Sequence, residues 1–209
     1  LFAVTILLLI LAFTVSRKIT KRPGKLQVVA EKLVNMLYGL VEDTMGSKFK
    51  YFAPYISTIF AFSIFGSLIS MLGLRPMTGD YNVTLTWALM TFILIQGTKI
   101  KTNGIGGYFK SFLDPFFVML PMNVVSEVST PVSMSFRHFG NIAGGMIISS
   151  LLYFALTGVS TAIGLSFPVF AIGIPAALSA YFDLFSGFMQ AFIFIMLTMI
   201  YISTAADTD

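Results

Sequence analysis

Between Ser111 and Ala206 the chain runs for 96 residues with only four charged side chains, Asp114, Glu127, Arg137 and Asp183. About a quarter of the residues in a soluble domain are charged. The whole chain of 209 residues reaches 11%, against 56% hydrophobic. A soluble enzyme domain and a disordered segment are therefore both excluded. A membrane-spanning strand would show about ten residues of apolar and polar alternation. Here the apolar runs are unbroken, which predicts an all-α membrane protein. The 22 Phe and 12 Met suit packing against lipid rather than a cofactor box. Isolated ionisable groups inside such spans are candidate functional residues, because each is costly to insert.

The other charges set topology. Residues 1–110 carry 12 of the 13 Lys and Arg. Residues 1–15 are apolar and end at Arg17-Lys18, with the positive charges after the apolar run; a signal peptide has them before it. The segment is therefore expected to be a first span. The chain opens on Leu1 rather than Met, so further residues are expected before it. Five Lys/Arg in 17–25 mark a cytoplasmic loop and put the N-terminus outside. The net charge of +4 is thus a loop property and calls for no nucleic-acid partner.

Leu26, Val29, Leu33, Leu37 and Leu40 recur at helical spacing, predicting an amphipathic helix over 26–46. It lies on the membrane surface or forms a soluble linker. A transmembrane hairpin follows over 52–98, its spans 52–72 and 83–98 joined by the turn-rich segment 73–82. Residues 99–110, with Lys99, Lys101, Lys110 and four Asn/Gly residues, read as a second basic cytoplasmic loop. The rest, 111–206, divides into one piece ending near 157 and another from about 166 to 205. Each exceeds the roughly 20 residues of a perpendicular span, so each either crosses more than once or is strongly tilted. The C-terminus is expected on the cytoplasmic side. No internal repeat is visible.

Arg137 most needs explaining. An arginine at the centre of a span costs roughly 2.5–3.5 kcal/mol on insertion scales, and it cannot escape by losing its proton. It either snorkels to an interface or faces something that needs a cation. Ser133, Asn141, Gly144, Gly145 and Ile148 fall on its helical face, polar and then smooth. Small residues there let another helix approach closely. In the last piece Asp183, Gly187, Gln190 and Phe194 share a face in the same manner. Facing Arg137, those polar groups would be paired or would line an aqueous path.

Ser133-x-x-x-Arg137-x-Phe139-Gly140-Asn141 within PVSMSFRHFGN, and Gln190-Ala191-Phe192-Ile193-Phe194, resemble the a subunit of F-type rotary ATP synthases. The similarity extends to Asp80-x-Asn82-x-Thr84 and Gly104-Ile105-Gly106-Gly107-Tyr108, and covers nearly the whole chain in order. It implies a stator subunit beside a ring of c subunits, each carrying a membrane-embedded carboxylate, with half-channels opening to opposite sides. Arg137 matches the essential arginine between them. The resemblance also implies that the two long pieces form a tilted hairpin on the ring, where Gly144, Gly145 and Gly187 would allow close packing. The implied partners are the c-ring, peripheral-stalk b subunits, the lipid bilayer and a transported H⁺ or Na⁺, in a bacterial plasma membrane.

The chain departs from the family pattern at Met146, where many members carry Glu or His. Asp183 stands where they often carry His or Glu. It is expected to be the main half-channel carboxylate, beside Gln190 and Asn141, unless it is a structural Asp bonded to its neighbours. His138, the only histidine, either relays protons in place of the acid missing at 146 or faces another helix of the same subunit. Glu127 lines a half-channel mouth or is a plain interfacial acid. Asp80 and Asn82 either mark the outer opening or serve turn chemistry. A free-standing ion transporter or channel is the alternative, weakened by the lack of symmetry between the halves. No phosphate loop or metal-ligand cluster occurs, so the chain is expected to bind no nucleotide or cofactor itself.

Overall fold

In a computed structural model the described residues are 2–17, 19, 24–72, 74–113, 116–164, 178 and 181–206, without the side chains of Phe182 and Asp183. Six α-helices occur among them: α1 (Phe2–Arg17), α2 (Lys25–Met45), α3 (Ala53–Leu68), α4 (Tyr81–Ser111), α5 (Leu120–Ala162) and α6 (Gly187–Ala206). Four helical segments, Ser47–Leu72, Tyr81–Ser111, Phe117–Ala162 and Leu184–Ala206, are long and apolar enough to cross a membrane. The chain is an all-α, multi-pass membrane protein. Asp114, the basic residues Lys18, Lys21 and Arg22, and 165–177 at the start of the expected second hairpin arm lie outside the described residues.

The amphipathic segment is helical as expected. Its N-terminal half exposes Leu26, Val29 and Leu33, while Val41 and Met45 at its other end are buried. The turn into the first long span is held by Glu42, which accepts from Lys50 Nζ at 2.7 Å and Ser47 Oγ at 2.8 Å.

The expected basic loop at 99–110 is instead helical. α4 continues through it to Ser111, broken only at Gly104, whose φ of 68° lies in the region open to glycine. The turn-forming residues are spent on one kink, and the flanking Lys, Tyr and Phe carry the helix on.

α5 settles the length question for the first arm. It is one uninterrupted helix of 43 residues, which at 1.5 Å per residue is about 65 Å long. That is twice the ~30 Å hydrocarbon core, so a helix confined to the bilayer must lie far from the membrane normal. Pro121 sits in the first turn, where a missing N–H costs nothing. Pro131 is internal and buried, and the helix passes through it.

α6 is the hub, touching α2, α3, α4 and α5. Its buried positions are Gly187, Ala191, Phe194, Ile195, Thr198, Met199, Ile202 and Ala205. Of these, Phe194, Ile195, Met199, Ile202 and Ala205 form the core with Ile56 and Ile59 of α3, Ala88 and Ile95 of α4 and Met134 of α5. α4 meets this core along a seam of Thr84, Ala88, Thr91, Ile95 and Thr98. The near-heptad spacing and small side chains bring helices close where the hydrophobic effect gives little drive. Thr91 Oγ1 pairs with Tyr55 OH at 3.1 Å across the seam.

Candidate functional site

Arg137 lies near the middle of α5 and points outward. Ser133, Phe136, Arg137 and Gly140 are exposed, whereas Pro131, Met134, Ser135, His138, Ile142 and Gly145 form the buried stripe. No carboxylate among the described residues lies within ion-pair distance of the guanidinium. Arg137 lines a crevice between α5 and α6 together with Met134, His138, Gln190, Ile193 and Leu197. The fold therefore brings Arg137 and Gln190 together, as the two helical faces suggested. Asn141, one turn on and half-buried, donates Nδ2–H to Ser186 Oγ, tying α5 to the turn before α6.

That turn, Tyr181–Ser186, is π-helical. A π turn is wider than an α turn, so the shared face inferred for Asp183 with Gly187 and Gln190 does not carry back across it in simple α register. The backbone of Asp183 lies in this turn, and its side chain is outside the described residues.

The glycines divide between inside and outside. Gly144 is half-exposed and has open space where a Cβ would stand. Gly145 is buried in the subunit. At Gly187 a Cβ would come within 2.8 Å of Ser67 Cβ. The close approach at Gly187 is therefore to α3 of the same chain rather than to an outside surface. The apolar environment of α6 on all sides hid this.

His138 sits directly behind Arg137, 1% exposed. Its Nε2 lies 3.2 Å from Ser63 Oγ of α3. Its ring meets Trp87 of α4 and Phe194 of α6 edge-on, with centroids 5.9 and 5.6 Å apart. Of the two readings of this histidine, the fold realises the packing contact with other helices of the subunit. Ser63, Ser186 and Trp87 carried no sequence signal, because each becomes polar or aromatic lining only once three helices meet.

At one end of the outward face Asp80 caps α4, accepting the Asn82 N–H at 3.0 Å. The turn chemistry expected of this pair is thus present. Asp80 also lines a pocket with Arg75, Tyr81, Phe139, Ala143 and Met146. Met146 itself reaches back to Gly79, where a Cβ would fall 2.7 Å from its Cε. The side chain standing at the acid-bearing position thus fills the space under this loop.

Towards the opposite end of α4, Glu127 pairs with Lys99 Nζ and accepts from Gln96 Nε2 at 2.7 Å. Two pockets of about 200 and 220 Å³ share Lys99, Ser126, Glu127 and Thr204. Lys99 counted only as a topology signal in the sequence.

Pockets with polar lining thus lie near both ends of α4, and the exposed Arg137 stands between them along α5. Three relatives are similar to the chain over most of its length. Residues are 36% identical to the ATP synthase subunit a, sodium ion specific, of Propionigenium modestum, over 94% of this chain and 69% of that one. Identity to the ATP synthase subunit a of Moorella thermoacetica is 31%, over 96% and 85%. For that of a Sulfurihydrogenibium species it is 32%, over 97% and 94%. The ATP synthase A chain family matches residues 1–203, from α1 almost to the end of α6, and the chain belongs to that family, whose members translocate ions at the c-ring of the ATP synthase complex.

Proposed function

We propose that Arg137 is the cation that meets each ring carboxylate in turn, with one polar opening at Asp80 and Asn82 and the other at Glu127. The outward exposure of Arg137, the one Lys or Arg of α5, carries this reading. A guanidinium keeps its charge in any protein setting. Beside a carboxylate it stabilises the ionised form and so releases the bound ion. It also repels a cation that would cross between the openings without the ring turning. Each charge driven through 100 mV supplies about 2.3 kcal/mol, and that work turns the ring. Lysine would serve poorly, since burial readily neutralises it.

Gln190 shares the crevice with Arg137 and orients it, Asn141 and Ser133 line the same face, and Asp183, whose backbone lies in the π turn, is the half-channel carboxylate. Gly144 gives the ring room to approach. The transported ion is H⁺ or Na⁺, and the sodium-specific relative supports testing both. The basic residues at 17–25 and 99–110 support a cytoplasmic placement for those segments, with the N-terminus outside and the C-terminus inside. Peripheral-stalk b subunits complete the assembly.

Cysteine cross-linking tests the outward face. The chain has no cysteine of its own, so Ser133→Cys and Gly140→Cys give single reactive sites. In the holoenzyme both should form disulfides with a cysteine placed beside the ring carboxylate, and the buried Ile142→Cys should not. Cross-linking from Ile142 alone would overturn the assignment.

A further inference from the structure

Lys99 has no role in the mechanism above, yet it is the ion partner of Glu127. Both side chains are sheltered, at 26% and 21% exposure, so bulk salt screens the pair less than a surface pair. Gln96 Nε2 holds the second carboxylate oxygen. Around them stand further acceptor oxygens. Gln96 Oε1 and Asn103 Oδ1 are buried without a partner, and the hydroxyls of Ser126 and Thr204 line the pockets. Such a set of oxygens suits a monovalent cation, and the cation it holds here is the ammonium of the chain itself.

We infer that Lys99 is a tethered competitor for the transported ion at Glu127, so that an ion entering from this end must displace the ammonium before it can move on. The inference rests on the reading of Glu127 as an opening to the ring. The ammonium rides on a four-carbon stem anchored in α4, so it faces Glu127 at an effective concentration in at least the millimolar range. The incoming cation therefore meets a carboxylate already neutralised, and entry is held back until its concentration rises. Among the described residues, the other ionisable groups near Glu127 are Tyr108 of α4 and Tyr201 of α6, which lines the same pocket. A phenol carries no positive charge in either protonation state, so neither replaces the ammonium.

ATP-driven ion uptake by inverted membrane vesicles carrying the whole synthase tests this, because their outer face is the Lys99 side. Uptake is followed against NaCl at fixed pH, and against pH without sodium. Lys99→Met should lower the half-saturating concentration of the transported cation about fivefold. Lys99→Arg, which keeps a tethered charge, should restore the wild-type value. In a Glu127→Gln background Lys99→Met should produce no further shift. If Glu127→Gln changes half-saturation while Lys99→Met does not, the opening stands and the competitor falls. If neither variant shifts it in an assembled synthase, the reading of Glu127 as an opening fails as well.

Discussion

The contact between Gly187 and Ser67 allows a quantitative test of where the close packing lies. A methyl at 187 would sit 2.8 Å from Ser67 Cβ and 3.2 Å from its Oγ. Carbon atoms rest about 3.5 Å or more apart, so α3 and α6 would have to part by about 0.7 Å. A Cβ cannot rotate away, and the strain is therefore not relieved by a change of rotamer. Overpacking of this kind costs about 1–3 kcal/mol, and we expect about 2 kcal/mol for Gly187→Ala. Ser67→Gly alone should cost at most about 0.5 kcal/mol through helix propensity and lose the hydroxyl contact to Thr78 at 3.4 Å. With both changes, one Cβ again separates the helices. The double variant should then recover about 1–2 kcal/mol relative to the sum of the single ones, a coupling expected only of residues in contact. Thermal dissociation of the purified synthase in mild detergent measures the stability. ATP synthesis in proteoliposomes measures the consequence, because Gln190, one turn along α6, shares the Arg137 crevice. Full tolerance of Gly187→Ala, or the same cost with and without Ser67→Gly, would refute the internal contact.

His138→Leu should reduce stability in the same assay by about 1–3 kcal/mol, since it leaves Ser63 Oγ buried without its partner. Coupled transport per assembled synthase should survive; its loss with normal assembly would instead favour a proton relay. Hydrogen bonding from Lys50, and to a lesser degree from Ser47, holds the Glu42 carboxyl below its ordinary value of 4.5. A depressed value contributes stability at neutral pH that is lost as pH falls through it. Protease cleavage in the turn at 46–50 should therefore separate Glu42→Gln from wild type at neutral pH and converge in acid, and a separation constant across the acid range would contradict the pairing. The effect should be small, because both partners are largely exposed.

The sequence disclosed a helical membrane protein, the amphipathic helix, and Arg137 with its polar face, because each rests on a scarcity of charge or a period of 3.6. It disclosed less where apolar residues surround a helix on every side. α6 is such a helix: nothing in its hydropathy separates buried Ile195 and Met199 from exposed Ile200. The same uniformity placed Gly187 on an outer surface when it closes on Ser67. Lysines read as markers of topology concealed the partner of Glu127, since pairing 28 residues apart is a property of the fold. The small-residue seam of Thr84, Ala88, Thr91 and Thr98 was present as a near-heptad repeat and could have identified the packed side of α4.

The central claim is that Arg137 couples ion flow to the ring, and Arg137→Ala in the complete synthase tests it most directly. ATP synthesis driven by an imposed ion gradient, ATP-driven ion uptake, and ATP hydrolysis by the detached soluble head should be measured on one preparation. The account predicts that both coupled activities vanish while hydrolysis by the head persists. Coupled transport retained at a substantial fraction of the wild-type rate, with the synthase fully assembled, would contradict it.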